Sequence, residues 1–248
     1  MKKLPTVSVV LTSCERFDLL TQTLDSFLEM NTHAIDEFVI IEDSKREKEL
    51  KQILVNKPSY FRYICNGQKI GQLHSIDKAY ATVHSDYVFH MEDDWVFLEK
   101  GFIEKGLMIL ERYPQYLSVW LRNKEEIPAI LDRNHYRIIN NERYYIIKEQ
   151  VLGFAPSLIS LKNYKKVAPY AQFKKPIEIN ISTQYEALGF ETLMTDKPLV
   201  KHIGWHRRVM NPEEKKRYSI QYMVDRWLRT IKAKIYQRFK LGKFRESN

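Results

Sequence analysis

Asp86-Tyr87-Val88-Phe89-His90-Met91-Glu92-Asp93-Asp94-Trp95 decides the fold: an apolar run of strand length ends abruptly in three consecutive acids. A short continuous apolar run of this kind suits a strand buried on both faces. Open α/β sheets place their ligands beyond the carboxyl ends of such strands. Hard carboxylate oxygens gathered there can hold a divalent cation, so the segment points to a metal–diphosphate site.

Working back toward the N-terminus, apolar runs alternate with helical patterns. Residues 6–11 predict a strand, and Phe17, Leu20, Leu24 and Phe27 then recur at helical spacing through Met30. Residues 37–41 predict a second strand, 45–55 an exposed charged helix, 60–64 a third strand and 72–83 a helix leading into the acidic strand. This β-α-β-α rhythm produces a mostly parallel central sheet flanked by helices, a Rossmann-like nucleotide-binding half over residues 1–97.

Working forward from Trp95, the pattern changes. A helix is expected at 99–113, a strand at 116–121, then a polar irregular stretch. Strands at 135–139 and 143–147 flank Asn140-Asn141, a hairpin turn because Asn tolerates positive φ. A strand at 157–161, a helix at 177–188 closed by Gly189, and a strand at 190–195 complete an acceptor-side half over 98–210.

The composition bounds the rest. With 248 residues and 44% hydrophobic side chains the chain can bury a full core, and a net charge of +9 favours anionic partners. Much of that charge lies at 211–248, where Asp225 is the sole acid between Lys215 and Arg245. There Ile220, Val224, Trp227, Ile231, Ile235 and Phe239 trace one face of a basic amphipathic helix, fit for an anionic membrane surface, for the domain core or for a second subunit in a homodimer. Cys14 and Cys65 form no disulfide framework, and no signal-peptide core or long apolar span is present. The expected location is therefore cytoplasmic, peripheral to the membrane where that helix docks.

Several segments in order resemble the inverting GT-A glycosyltransferases, in particular family 2. Val7-Ser-Val-Val-Leu-Thr12-Ser13-Cys14-Glu15-Arg16 is similar to that family's first strand and nucleotide-contacting loop, with Thr-Ser-Cys-Glu-Arg in place of Pro-Thr-Tyr-Asn-Arg, which removes an aromatic residue. Phe38-Val-Ile-Ile-Glu42-Asp43-Ser44 resembles the strand whose Asp reads the base, and Asn66-Gly-Gln-Lys-Ile-Gly71 the loop before the metal motif. Glu92-Asp93-Asp94 stands at the "DXD" acids, in a form similar to N-acetylglucosaminyltransferases of the same fold. The helix beginning Ile177-Glu178 and ending at Gly189-Phe190 resembles the one that carries the catalytic carboxylate. Lys201-His202-Ile-Gly204-Trp205-His206 resembles the segment that supplies a His to the metal.

The resemblance implies a GT-A domain using Mn²⁺ or Mg²⁺ and a nucleotide-sugar, with UDP the favoured base, acting on a glycan or lipid-linked acceptor in surface glycan or lipopolysaccharide synthesis. It implies Glu178 as general base, Asp94 and His202 as metal ligands with His206 as understudy, and Thr12, Ser13, Glu15, Arg16, Asp43, Gly71, Glu92 and Asp93 around the donor. Each residue has a plainer rival role. The three acids suit a solvated turn, Glu178 a helix first turn, Asp43 a helix cap and His202 an ordinary packed residue. Nucleotidyl transfer is the competing chemistry, weakened by the lack of a Gly-rich loop after the first strand. Nucleic-acid binding is the competing non-enzymatic role, disfavoured by the acids.

Overall fold

A computed structural model describes residues 5–127, 129–205, 207 and 209. The chain divides into residues 1–207 and 208–248. The basic amphipathic helix expected in the second part lies outside the described residues, as do His206 and Arg208.

Four parallel strands form the centre: β1 (Val7–Ser13), β2 (Glu37–Glu42), β3 (Phe61–Cys65) and β4 (Tyr87–Glu92). They lie in the order β3-β2-β1-β4, with β9 (Ser157–Ser160) added antiparallel to β4. All seven residues of β1 are buried, which explains a continuous apolar reading where a one-sided strand would alternate. The period of two still decides which layer each side chain joins. Val9, Leu11, Phe38, Ile40, Phe89 and Met91 meet Leu20, Leu24 and Phe27 of α1 (Phe17–Met30) on one face. Val10, Val39, Ile41 and Val88 meet Leu73, Ile76 and Ala79 of α3 (Gln72–Tyr80) on the other.

Phe27 centres the first layer, its ring 5.2 Å from those of Phe38 and Phe97 and 5.6 Å from Phe102. Truncating such a fully buried ring to Ala costs about 3–5 kcal/mol. Between β2 and β3 runs the expected charged helix α2 (Glu47–Leu54), which buries only Leu50.

A second sheet is built from β6 (Tyr116–Trp120), β10 (Glu191–Thr195), β8 (Glu142–Ile147) and β7 (Tyr136–Ile139), in that order. Asn140 and Asn141 take φ of 49° and 63° between β7 and β8, the paired left-handed conformation of a tight hairpin. Helix α4 (Phe102–Arg112) precedes β6, and Gly189, at φ 81°, closes α6 (Ile177–Ala187).

Three elements depart from the sequence expectation. Strand β9 stops at Ser160 and Leu161 begins helix α5 (Leu161–Val167). Trp95 to Phe97 form β5, and Val200 to His202 form β11, an antiparallel pair that sets His202 opposite Trp95. Among the described residues no helix is long and apolar enough to cross a membrane.

Candidate active site

Because β1 to β4 run parallel, Ser13, Glu42, Cys65 and Glu92 all end at one edge of the sheet. Strand order reverses between β2 and β4 around β1, which makes the crevice beside β1 and β4 the topological switch point. Asp93 and Asp94 turn into that crevice. They are pinned from both sides of the turn: Trp95 N–H donates to Thr23 Oγ1 of α1 at 3.1 Å, and Ile203 N–H donates to the Asp94 carbonyl at 2.9 Å.

The β5–β11 pairing brings His202 to the acids, its Nε2 3.1 Å from Asp94 Oδ2. The imidazole packs against Trp95 and Trp205, each 4.7 Å away between ring centres. Gly204 is buried against the same carboxylate, where an added Cβ would stand 2.6 Å from Asp94 Cγ, so only glycine lets the chain pass.

On the other side of the acids, the segment after β1 bends sharply. Glu15 has φ 59° and its N–H donates to Glu42 Oε1 at 3.0 Å, while Cys14 N–H donates to Asp93 Oδ2 at 3.2 Å. The bend aims Arg16, at the start of α1, into the crevice. Its Nη1 reaches Asp94 Oδ2 at 2.6 Å, its Nη2 bonds Asp93 Oδ1, and its Nε lies 3.4 Å from Asp93 Oδ2. Asp94 Oδ1 is buried with no hydrogen-bond partner among the described residues.

The electrostatics follow from burial against that guanidinium. Burial drives Asp93 up to about 6 in spite of the opposing pull of Arg16. Arg16 is the charge that opposes this rise and favours the ionised form of both carboxylates. Burial also acts to raise Asp94, but the His202 hydrogen bond and the charges of Arg16 and His202 outweigh it and hold the carboxyl below its usual range. Glu92, which accepts from Gln72 Nε2 at 2.8 Å, is raised by burial and then by the negative charges of Asp94, Asp93 and Glu178.

Glu178 sits in the first turn of α6, open to solvent on one side, and accepts from Phe154 N–H at 3.3 Å. Desolvation by its protein neighbours raises its pKa, against the Phe154 hydrogen bond and the charge of Arg122. Arg122, unremarked in the sequence, lies 5.6 Å over the Trp95 ring and pairs with Glu126 at 2.8 Å.

Asp43 is buried and does not cap α2, whose start has no side-chain cap. It instead organises the loop before α3: its carboxylate accepts from Ile70 N–H at 2.7 Å, Gly71 N–H at 2.8 Å and Asn66 Nδ2 at 3.0 Å. Gly71, at φ 97°, starts α3 there. Thr12 and Ser13 are buried at the end of β1, with Ser13 Oγ lacking a hydrogen-bond partner among the described residues. The Cys14 thiol is pushed up to about 12 by burial, which leaves it unreactive. Arg207 pairs with Asp18 at the crevice mouth, at 2.6 and 2.9 Å.

Among the described residues no three His, Cys, Asp or Glu side chains converge as a closed cation cage. The donor set is partial: Asp94 with its unpartnered Oδ1, and the His202 imidazole. Such a set fits a cation that completes its shell with diphosphate oxygens and water. A separate hollow of about 520 Å³ between α1 and α2, lined by Phe17, Arg46, Glu49 and Lys57 among others, offers no comparable set.

A parallel sheet carrying acids at its switch point, joined to a mixed second sheet, defines a GT-A glycosyltransferase domain. Residues 8–163 match Glycosyl transferase family 2, and the chain belongs to that family. A mannosyltransferase from Pyrobaculum calidifontis, solved in complex with GDP-Man and Mn²⁺, has a similar fold. The TM-score is 0.62 at 10% identity, over 79% of this chain and 56% of that one. This chain thus matches little more than half of that protein's length. No curated protein matches the chain.

Proposed function

We propose that this protein transfers a sugar from a nucleoside-diphosphate sugar to an acceptor hydroxyl, with inversion and with a divalent cation. One observation carries the reading: a buried carboxylate, Asp94, holds an unpartnered oxygen beside an imidazole and a guanidinium at the switch point of a glycosyltransferase sheet. Asp94 and His202 are the ligands in this reading, and an imidazole ligand tilts the choice from Mg²⁺ toward Mn²⁺. The Mn²⁺ held by the structurally similar mannosyltransferase supports that choice. Lewis-acid neutralisation of the departing diphosphate is the chemistry such a cation supplies.

The remaining steps fall to the chain's own side chains. Asp93 lies toward the ribose or phosphates, and Thr12, Ser13, Glu15, Arg16 and Glu92 line the donor. Asp43 and Gly71 serve the base side through the loop that Asp43 holds. Glu178 accepts the acceptor's hydroxyl proton as oxygen attacks the anomeric carbon and the nucleoside diphosphate leaves from the opposite face. Its raised pKa makes it a stronger base than an ordinary glutamate. UDP is the favoured base because it is the commonest donor among similar enzymes, and the GDP-Man of the structural relative makes GDP its rival. A glycan or lipid-linked acceptor of the bacterial surface, met at the cytoplasmic face of the membrane, completes the reading.

The test is product analysis. Incubation with a panel of nucleotide-sugars, Mn²⁺ and a hydroxyl acceptor should release nucleoside diphosphate and no pyrophosphate, with the new linkage opposite in configuration to the donor. Pyrophosphate release indicates nucleotidyl transfer, and a retained configuration removes Glu178 from its role as base.

A further inference from the structure

We propose that Arg16 is a built-in counter-cation of the metal site, which a divalent cation must displace and which then turns to the donor diphosphate. The inference rests on the metal site proposed above. Its geometry is explicit: one guanidinium spans both acids, with Nη1 on Asp94 Oδ2 at 2.6 Å, Nη2 on Asp93 Oδ1 and Nε 3.4 Å from Asp93 Oδ2. Asp94 Oδ2 is therefore already shared between Arg16 and His202, leaving Oδ1 as the oxygen of that carboxylate with no donor among the described residues. A cation using Asp94 and His202 together must contest the position that Arg16 holds.

Two buried carboxylates side by side need a positive partner, since an unpaired buried charge is strongly unfavourable. Arg16 supplies it in the free protein. It is also able to leave: its side chain is 16% exposed, on a long stem at the N-cap of α1. Glu15, fixed with positive φ by the buried Glu42, keeps the stem aimed at the crevice. A planar guanidinium that fits a carboxylate pair also fits phosphate oxygens. Metal and diphosphate should thus bind with positive coupling, because the diphosphate stabilises the displaced Arg16 and the metal takes over Asp93 and Asp94. By linkage each then strengthens the other equally.

The experiment follows Mn²⁺ binding to the full-length protein through the electron paramagnetic resonance signal of free Mn²⁺, with and without UDP or GDP. Wild type should bind Mn²⁺ weakly alone and much more tightly with one of the nucleotides. Arg16→Gln should bind Mn²⁺ alone more tightly than wild type by roughly tenfold or more, the scale of a removed charge-assisted hydrogen bond, and should lose most of the coupling to nucleotide. Arg16→Lys, which keeps the charge but cannot bridge both acids, should fall between; it carries the test if Arg16→Gln does not fold. Arg16 variants that fold and bind Mn²⁺ no more tightly than wild type overturn the displacement while leaving the metal site standing. If Asp94→Asn keeps full Mn²⁺ binding with nucleotide present, the metal site itself is wrong and the displacement falls with it.

Discussion

Asp77 and Asp94 both turn their carboxylates toward protein partners, and their surroundings differ in a way that separates architecture from chemistry. Asp77, on α3, has both oxygens occupied by neutral donors: Tyr164 Oη at 2.6 Å and Tyr170 N–H at 2.9 Å on Oδ1, and Ala171 N–H at 2.7 Å on Oδ2. It ties the stretch after α5 to α3. Asp94 has one oxygen shared between a guanidinium and an imidazole and the other without a partner among the described residues. Backbone amides cannot leave, whereas an arginine can. A fully satisfied acid holds structure in place, and a partly satisfied one is available for a ligand.

The sharpest way to break this contrast is to neutralise each acid. Asp94→Asn should lower kcat/KM by about 10³-fold or more, because on the proposed reading it removes the main anchor of a metal whose charge stabilisation is worth several kcal/mol. Steady-state kinetics in saturating Mn²⁺ measures this. Next in size is Glu178→Gln, which should cut kcat by about 10²–10⁴-fold with little change in donor KM. The sign of the pH effect is fixed. Glu178 must be ionised to accept a proton and its pKa is raised by desolvation, so activity should fall as pH drops through a value above that of an ordinary glutamate. An acid limb in the ordinary carboxylate range would remove Glu178 from this role.

Gly204→Ala probes the Asp94 side without touching a charge. Its methyl group collides with the Asp94 carboxylate, so metal-dependent activity should drop at least about tenfold while the fold survives. Asp77→Ala should do the reverse: a loss of at least about 2 kcal/mol in unfolding free energy, with kcat of the folded fraction retained. Denaturant melts and kinetics on the same samples decide this. If Asp77→Ala abolishes turnover at full stability, the division into structural and functional acids fails.

A last prediction, on stability alone, concerns His90, buried in β4 against Tyr80 and Phe154, with neither ring nitrogen hydrogen-bonded among the described residues. Burial lowers its pKa to about 3, so the unfolded chain takes up its proton first as the pH falls. Its contribution to stability is present above about 6.5 and lost on acidification from there toward 3. His90→Phe should flatten that part of the stability–pH curve, read by melting temperature.

The contrast also shows what the sequence discloses. The parallel strands were legible because strands buried on both faces leave uninterrupted apolar runs, and the hairpin because Asn140-Asn141 suits left-handed turns. Family membership and fold follow those same segments. The closing of the site was less legible. β5 and β11 have three residues each, too short for any periodicity, yet their pairing is what carries His202 to Asp94. Helix α5 is hidden in Leu161-Lys-Asn-Tyr-Lys-Lys-Val167, where three lysines mask Leu161, Tyr164 and Val167, the buried i, i+3, i+6 stripe. That Asp43 serves the 66–71 loop, and that Arg16 spans both acids, are tertiary facts with no local pattern. Gly204 did leave a trace, a glycine two residues after His202, and only the approach of Asp94 explains it.

Thermal melting of wild type and Asp94→Asn with UDP or GDP, in Mn²⁺ and in excess chelator, tests the central claim most directly. The account predicts that one nucleotide stabilises the wild-type protein strongly with Mn²⁺ and little without it, and that Asp94→Asn abolishes the metal-dependent part. Equal stabilisation of wild type in chelator, or an undiminished Mn²⁺ effect in Asp94→Asn, would contradict it.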